Sequence, residues 1–114
     1  MASTPPSDGR SADAAAQESR GNALYAKTCA ECHGQSLGGG KAPQLAGDSF
    51  RSAWKSKDAR ALYRRILSTM PATDPGSLTD QEALDITSYL MNMNGVSAGP
   101  FAGPGELDGK PLSP

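Results

Sequence analysis

The stretch Cys-Ala-Glu-Cys-His at residues 29 to 33 constrains this chain more than any other. It holds both cysteines and the only histidine of the 114 residues. Three chemistries use such a cluster: a redox dithiol, a metal site, or a covalent anchor. A dithiol of this spacing normally sits where a strand meets a helix in a βαβ unit. No segment here alternates in the way a strand requires. A structural zinc site wants four Cys or His ligands, and the chain owns three in total. The remaining reading is C-x-x-C-H, the attachment signature of c-type haem. Two thioethers need cysteines about one helical turn apart, and the next residue, His33, is then carried under the iron. With Cys and His each at about 2% of residues, a chance match in a chain this size is rarer than about one in a thousand.

Composition points the same way. Only 37% of residues are apolar and 5% aromatic. A single domain of this length, short of large apolar side chains, has difficulty building a stable core alone. A large apolar macrocycle buried on both faces would supply the missing volume. The haem-free chain is therefore expected to be poorly folded.

The pattern along the chain is all-α with long loops. Residues 1–12 read as a flexible leader. They lack the apolar core of a signal peptide as they stand. A first helix is expected from Asp13, as its cap, to Lys27, with Gln17, Gly21, Leu24, Tyr25 and Thr28 on one face. Gly21 costs about 1 kcal/mol against Ala inside a helix, which close approach of another helix would justify. Three consecutive glycines and Pro43 mark a loop after His33. A short helix from Asp48 or Ser49 to Trp54 follows. Asp58 caps another, with Leu62, Tyr63 and Ile66 inward. Thr79 to Glu82 forms a capping box for the last helix, where Ala83, Ile86, Leu90 and Met93 recur at helical spacing beside Tyr89. Gly95 is a natural stop. Residues 13–95 thus form the domain. The tail, 96–114, is too rich in Gly and Pro for a helix, so it wraps the surface or stays loose.

With one histidine spent, a second histidine ligand is impossible within the chain, and the remaining soft ligands are methionines. Met1 lies in the leader. Met91 and Met93 fall in a helix, where methionine usually fills a core. Met70 ends a helix, precedes Pro71 and opens a loop stiffened by Pro75 and Gly76, so a sulfur there can be held at a fixed distance. His/Met ligation raises the potential and leaves no vacant position for oxygen. That favours electron transfer over catalysis.

On these motifs the chain, from about Gln17 to Gly95, resembles the class I c-type cytochromes. The stretch from Asp48 to Gly95 is most similar to bacterial periplasmic cytochromes that serve, or are fused to, dehydrogenases. The resemblance implies a fold of three to five helices with long loops around one covalently bound haem. The first and last helices of such a fold cross, and Gly21, Tyr25 and Tyr89 match the glycine and aromatics that meet there. It implies that the Pro43 carbonyl accepts the His33 N–H and that Leu45 packs on the haem. Trp54 either contacts a haem propionate or simply packs. The family is exported, so a periplasmic location is expected, and no disulfide once both thiols are thioethers. The implied role is a monomeric carrier of single electrons from a dehydrogenase to an oxidase or another cytochrome. The implied alternatives are a haem domain of a larger dehydrogenase, or a haem enzyme or gas sensor with a labile methionine.

Charge sets limits on partners. A net charge of −1 lacks the basic surplus of nucleic-acid binders, and no apolar run approaches the roughly 20 residues of a membrane span. Arg51, Lys55, Lys57, Arg60, Arg64 and Arg65 crowd one segment. They read either as a solvated helix face or, with Lys41, as a patch that steers an acidic redox partner and makes its rate salt-sensitive.

Overall fold

The computed structural model describes residues 12–29, 48–54, 57–70, 76–96 and 100–112. Four α-helices run through them: α1 (Ala12–Thr28), α2 (Asp48–Trp54), α3 (Ala59–Thr69) and α4 (Asp80–Met93). A 3₁₀ turn, Pro104–Leu107, follows. No strand occurs among the described residues. The chain is an all-α protein, as its sequence pattern leads one to expect.

Each helix end has a local cause. The α1 helix begins at Ala12, so Asp13 lies inside its first turn and not at its cap. A carboxylate there still faces the positive end of the helix dipole. Asp58 caps α3, its Oδ1 accepting from the Ala61 N–H at 3.0 Å. The capping box of α4 is complete: the Thr79 hydroxyl accepts from Glu82 N–H at 3.1 Å, and the Glu82 carboxylate accepts from Thr79 N–H at 2.8 Å. At the other end of α4, Val96 N–H donates to Met91 O and Gly95 N–H to Asn92 O. Gly95 has φ of 91°. This is the Schellman arrangement, in which a left-handed residue, best filled by glycine, closes the last carbonyls.

Helix α1 packs on α4, α4 packs on α3, and the 3₁₀ turn packs on α3. The α1–α4 crossing is close at Gly21. A Cβ there would collide with the Asp85 carbonyl oxygen and would lie 2.7 Å from the Tyr89 Cβ. Next to it the Tyr25 and Tyr89 rings meet, centroids 5.7 Å apart and tilted by 45°. Arg20 forks onto the buried Asp85 carboxylate, with Nε at 3.1 Å and Nη2 at 3.3 Å, and Gln81 Nε2 donates to the same carboxylate at 2.8 Å. These contacts fix the register of the crossing. The costly glycine of α1 therefore has the reason its sequence context suggests.

The core joins Tyr25 of α1, Phe50 of α2, Leu62, Tyr63 and Ile66 of α3 and most of α4. Met91 is buried with them, but Met93 is 47% exposed. Met93 is the last residue of α4, and its side chain faces outward although Asn94 and Val96 just beyond it are buried or pack on the core.

The tail contributes more than its composition suggests. Phe101, Leu107 and Leu112 are buried members of the same core. Gln17 of α1 grips the tail backbone twice: its Nε2 donates to Phe101 O at 2.9 Å, and its Oε1 accepts from Phe101 N–H at 2.8 Å.

Candidate functional site

Met70 is the residue at which α3 stops. Its N–H still donates to Ile66 O at 3.1 Å, closing the last helical turn. Its own backbone is extended, with φ −116° and ψ 153°. The next residue in sequence is Pro71, and a residue before proline is pushed out of the helical region into this one. The helix is thus forced to end here, and the thioether leaves from a defined corner. The side chain is half-buried and packs against the core, as does Leu67 one turn earlier.

Cys29 stands at the corresponding end of α1, one residue past Thr28. Its N–H donates to Tyr25 O at 2.8 Å, continuing the helical bonding by one step. The side chain is half-buried and packs on the same core. Two sulfur side chains, each released from a helix end, therefore border one apolar core.

Trp54 ends α2. Its ring stacks on the buried Phe50, centroids 6.1 Å apart, and Lys57 Nζ sits 5.1 Å above the Trp54 ring. The Trp54 ring thus takes part in packing and in a cation–π contact. The half-buried apolar side chains on this core are Leu24, Cys29, Trp54, Leu67, Met70 and Val96 among the described residues. Sequence reasoning had no signal for Val96, which follows the helix stop, or for Leu67, which precedes Met70 by one helical turn.

Cys32, His33, Pro43 and Leu45 lie outside the described residues, as do Lys41 and Lys55. The donor set that is described suits a haem of c type. One cysteine sulfur can form a thioether and one methionine sulfur is a soft iron ligand. Partly exposed apolar side chains beside them are the surface a macrocycle would cover. Of the basic segment, Arg51, Lys57, Arg64 and Arg65 are exposed, while Arg60 lies 3.8 Å from Asp108.

Burial raises the tyrosines of the crossing. The Tyr25 phenol is pushed up to about 12, first by burial and then by the neighbouring Cys29 and Tyr89. Tyr89 and Tyr63 are raised too, with burial the leading cause. Asp58 moves the other way. The Gly109 N–H and then the Ala61 N–H hold its carboxyl below the usual carboxylate range.

Comparison with known proteins adds two findings. Residues 16–90 match the family described as Cytochrome C oxidase, cbb3-type, subunit III. That span contains every candidate residue from Cys29 to Met70 and stops short of the strap-like tail. Thiosulfate dehydrogenase of Psychrobacter arcticus is 35% identical over 82 residues, covering 64% of this chain and 25% of that protein. The chain thus spans about a quarter of that relative's length. No solved structure matches.

Proposed function

The chain belongs to the c-type cytochromes, in the family of the cbb3-type cytochrome c oxidase subunit III domain, and from that premise we propose that it is a monohaem carrier of single electrons. The observation that carries this reading is the pairing of Cys29 after α1 with Met70 at the end of α3, both packed on one core. When bound, haem supplies one iron centre that gains and loses a single electron.

The residues divide the work. Cys29 and Cys32 would hold the group through thioethers. His33 would give one ring nitrogen to the iron, and the Pro43 carbonyl would accept the N–H of the other, which would fix the ring. Leu45 would pack beside it. Met70 would offer its sulfur as a second iron ligand, which would keep oxygen and other small ligands off. Trp54 keeps the cofactor edge covered, either by packing or by contact with a propionate. Held by both ligands, the group would pass single electrons and leave no position for a substrate.

The donor is a dehydrogenase and the acceptor an oxidase or another cytochrome, met outside the cytoplasm through small, short-lived interfaces. The exposed Arg51, Lys57, Arg64 and Arg65 steer an acidic partner. The carrier works as a monomer. No described helix is long and apolar enough to cross a membrane. A second reading has its own support: the named dehydrogenase relative is matched over only 25% of its length, as a haem module within a larger dehydrogenase would be. It changes the context and leaves the chemistry of the residues as given.

The test is the near-infrared absorption of the oxidised protein. The reading expects a Met–iron charge-transfer band in the wild type and its loss in Met70→Ala. A band that survives the substitution assigns the ligand elsewhere.

A further inference from the structure

We propose that residues 100–112 form a strap that positions Met70 by clamping α3 against α1. The inference rests on the reading of Met70 as an iron ligand. It concerns a segment outside the family match, which ends at residue 90.

The strap is anchored at both ends by named groups. On α1, the buried Gln17 side chain takes both backbone groups of Phe101, at 2.8 and 2.9 Å. On α3, Asp58 spends its two oxygens differently: Oδ1 caps the helix at Ala61, and Oδ2 accepts from the Gly109 N–H at 2.8 Å. The Ala59 N–H, one of the helix-start donors that lack a partner within α3, donates to Lys110 O at 2.9 Å. Arg60 and Asp108 stand 3.8 Å apart over the same junction. Between the anchors Leu107, fully buried, packs with its 3₁₀ turn on α3.

The clamped helices are those whose far ends carry the sulfurs. Cys29 follows the C-terminal end of α1, and Met70 caps the C-terminal end of α3. Helix α4 joins α1 to α3 by packing, and the strap is a second connection made by hydrogen bonds. Leverage makes the second connection matter. A rigid helix of 11 residues is about 16 Å long, so a tilt of about 5° at its clamped start displaces its end by about 1 Å. A displacement of that size is enough to weaken a ligand bond that depends on fixed geometry. Gln17, Asp58 and Leu107 are therefore positioning residues for the Met70 sulfur. The depressed carboxyl of Asp58 fits the role, because it keeps both clasping bonds charge-assisted at neutral pH.

Asp58→Asn separates the clasp from the cap. Asparagine is as good an N-cap as aspartate, but its single oxygen cannot serve both Ala61 and Gly109, and its NH₂ group accepts nothing. The readout is the apparent affinity of the oxidised full-length haem protein for added imidazole, which reaches the iron only when the sulfur has left. That affinity scales with the fraction of molecules in the open state. Losing one charge-assisted bond should raise it about tenfold. Gln17→Met, which keeps the volume and removes both bonds to Phe101, should raise it in the same direction. Thr79→Ala removes the side-chain cap of α4 without touching the strap, and should raise imidazole affinity clearly less than either strap variant. An equal rise in Thr79→Ala, or none in Asp58→Asn and Gln17→Met while the Met70-dependent band persists, overturns the strap and spares the ligand reading. Survival of that band in Met70→Ala overturns both.

Discussion

Tyr25 shows how a single side chain records the α1–α4 crossing. It is 1% exposed and its ring meets Tyr89. Burial disfavours the phenolate, so the folded protein holds the proton more tightly than the unfolded chain. The folded value, about 12, lies above the ordinary 10.0. The stability linked to this proton is therefore whole below pH 10.0 and drains away as the pH rises toward 12. The thermal midpoint should fall across that window in the wild type and fall less steeply in Tyr25→Phe, measured by far-ultraviolet circular dichroism. An identical fall in both would remove Tyr25 from the account. Thioether formation takes the charge from Cys29 but leaves burial, the larger cause. Single residues were also where sequence reading went furthest. The Cys29 spacing, the Met70–Pro71 pair and Gly21 each carry a steric or chemical reason within a few neighbours. Gln17 was legible only as a face residue, because its partner Phe101 is 84 positions away.

At the scale of elements, the helix crossing should be intolerant of the smallest enlargement. Gly21→Ala gains about 1 kcal/mol of helix propensity. It also drives a methyl into the Asp85 backbone and to 2.7 Å from the Tyr89 Cβ. Backbone cannot yield as a flexible side chain does, and overpacking costs about 1–3 kcal/mol or more. The expected outcome is net destabilisation, read as a lower denaturant midpoint at unchanged slope. A higher midpoint would mean that the helices do not meet closely there. Caps and stops were the legible parts of these elements. In their capping roles Asp58, Thr79 with Glu82, and Gly95 act within four residues, whereas the second partner of Asp58, Gly109, is 51 positions away. The start of α1 was misplaced by one residue because both Ala12 and Asp13 suit a first turn. The helical period alone points Met93 inward, and period cannot say which side chains the neighbouring elements cover.

For the whole molecule, the tail is the part that sequence did not reveal. Phe101, Leu107 and Leu112 have no common spacing and are separated by glycines and prolines, so neither helical nor strand periodicity picks them out. Only the assembled core gives them a place, and there they join α1 to α3. The same assembly turns Cys29 and Met70 from isolated motifs into two sulfurs on one apolar core. Cys32, His33, Pro43 and Leu45 complete the proposed haem site from the sequence side. The central claim is that these residues saturate the iron and make the chain an electron carrier. The most direct measurement is the visible spectrum of the reduced haem protein at neutral pH, recorded before and after mixing with carbon monoxide. The account predicts a six-coordinate spectrum that does not change on mixing. A prompt carbon monoxide spectrum would show an open iron position and contradict the carrier in favour of a haem enzyme or gas sensor.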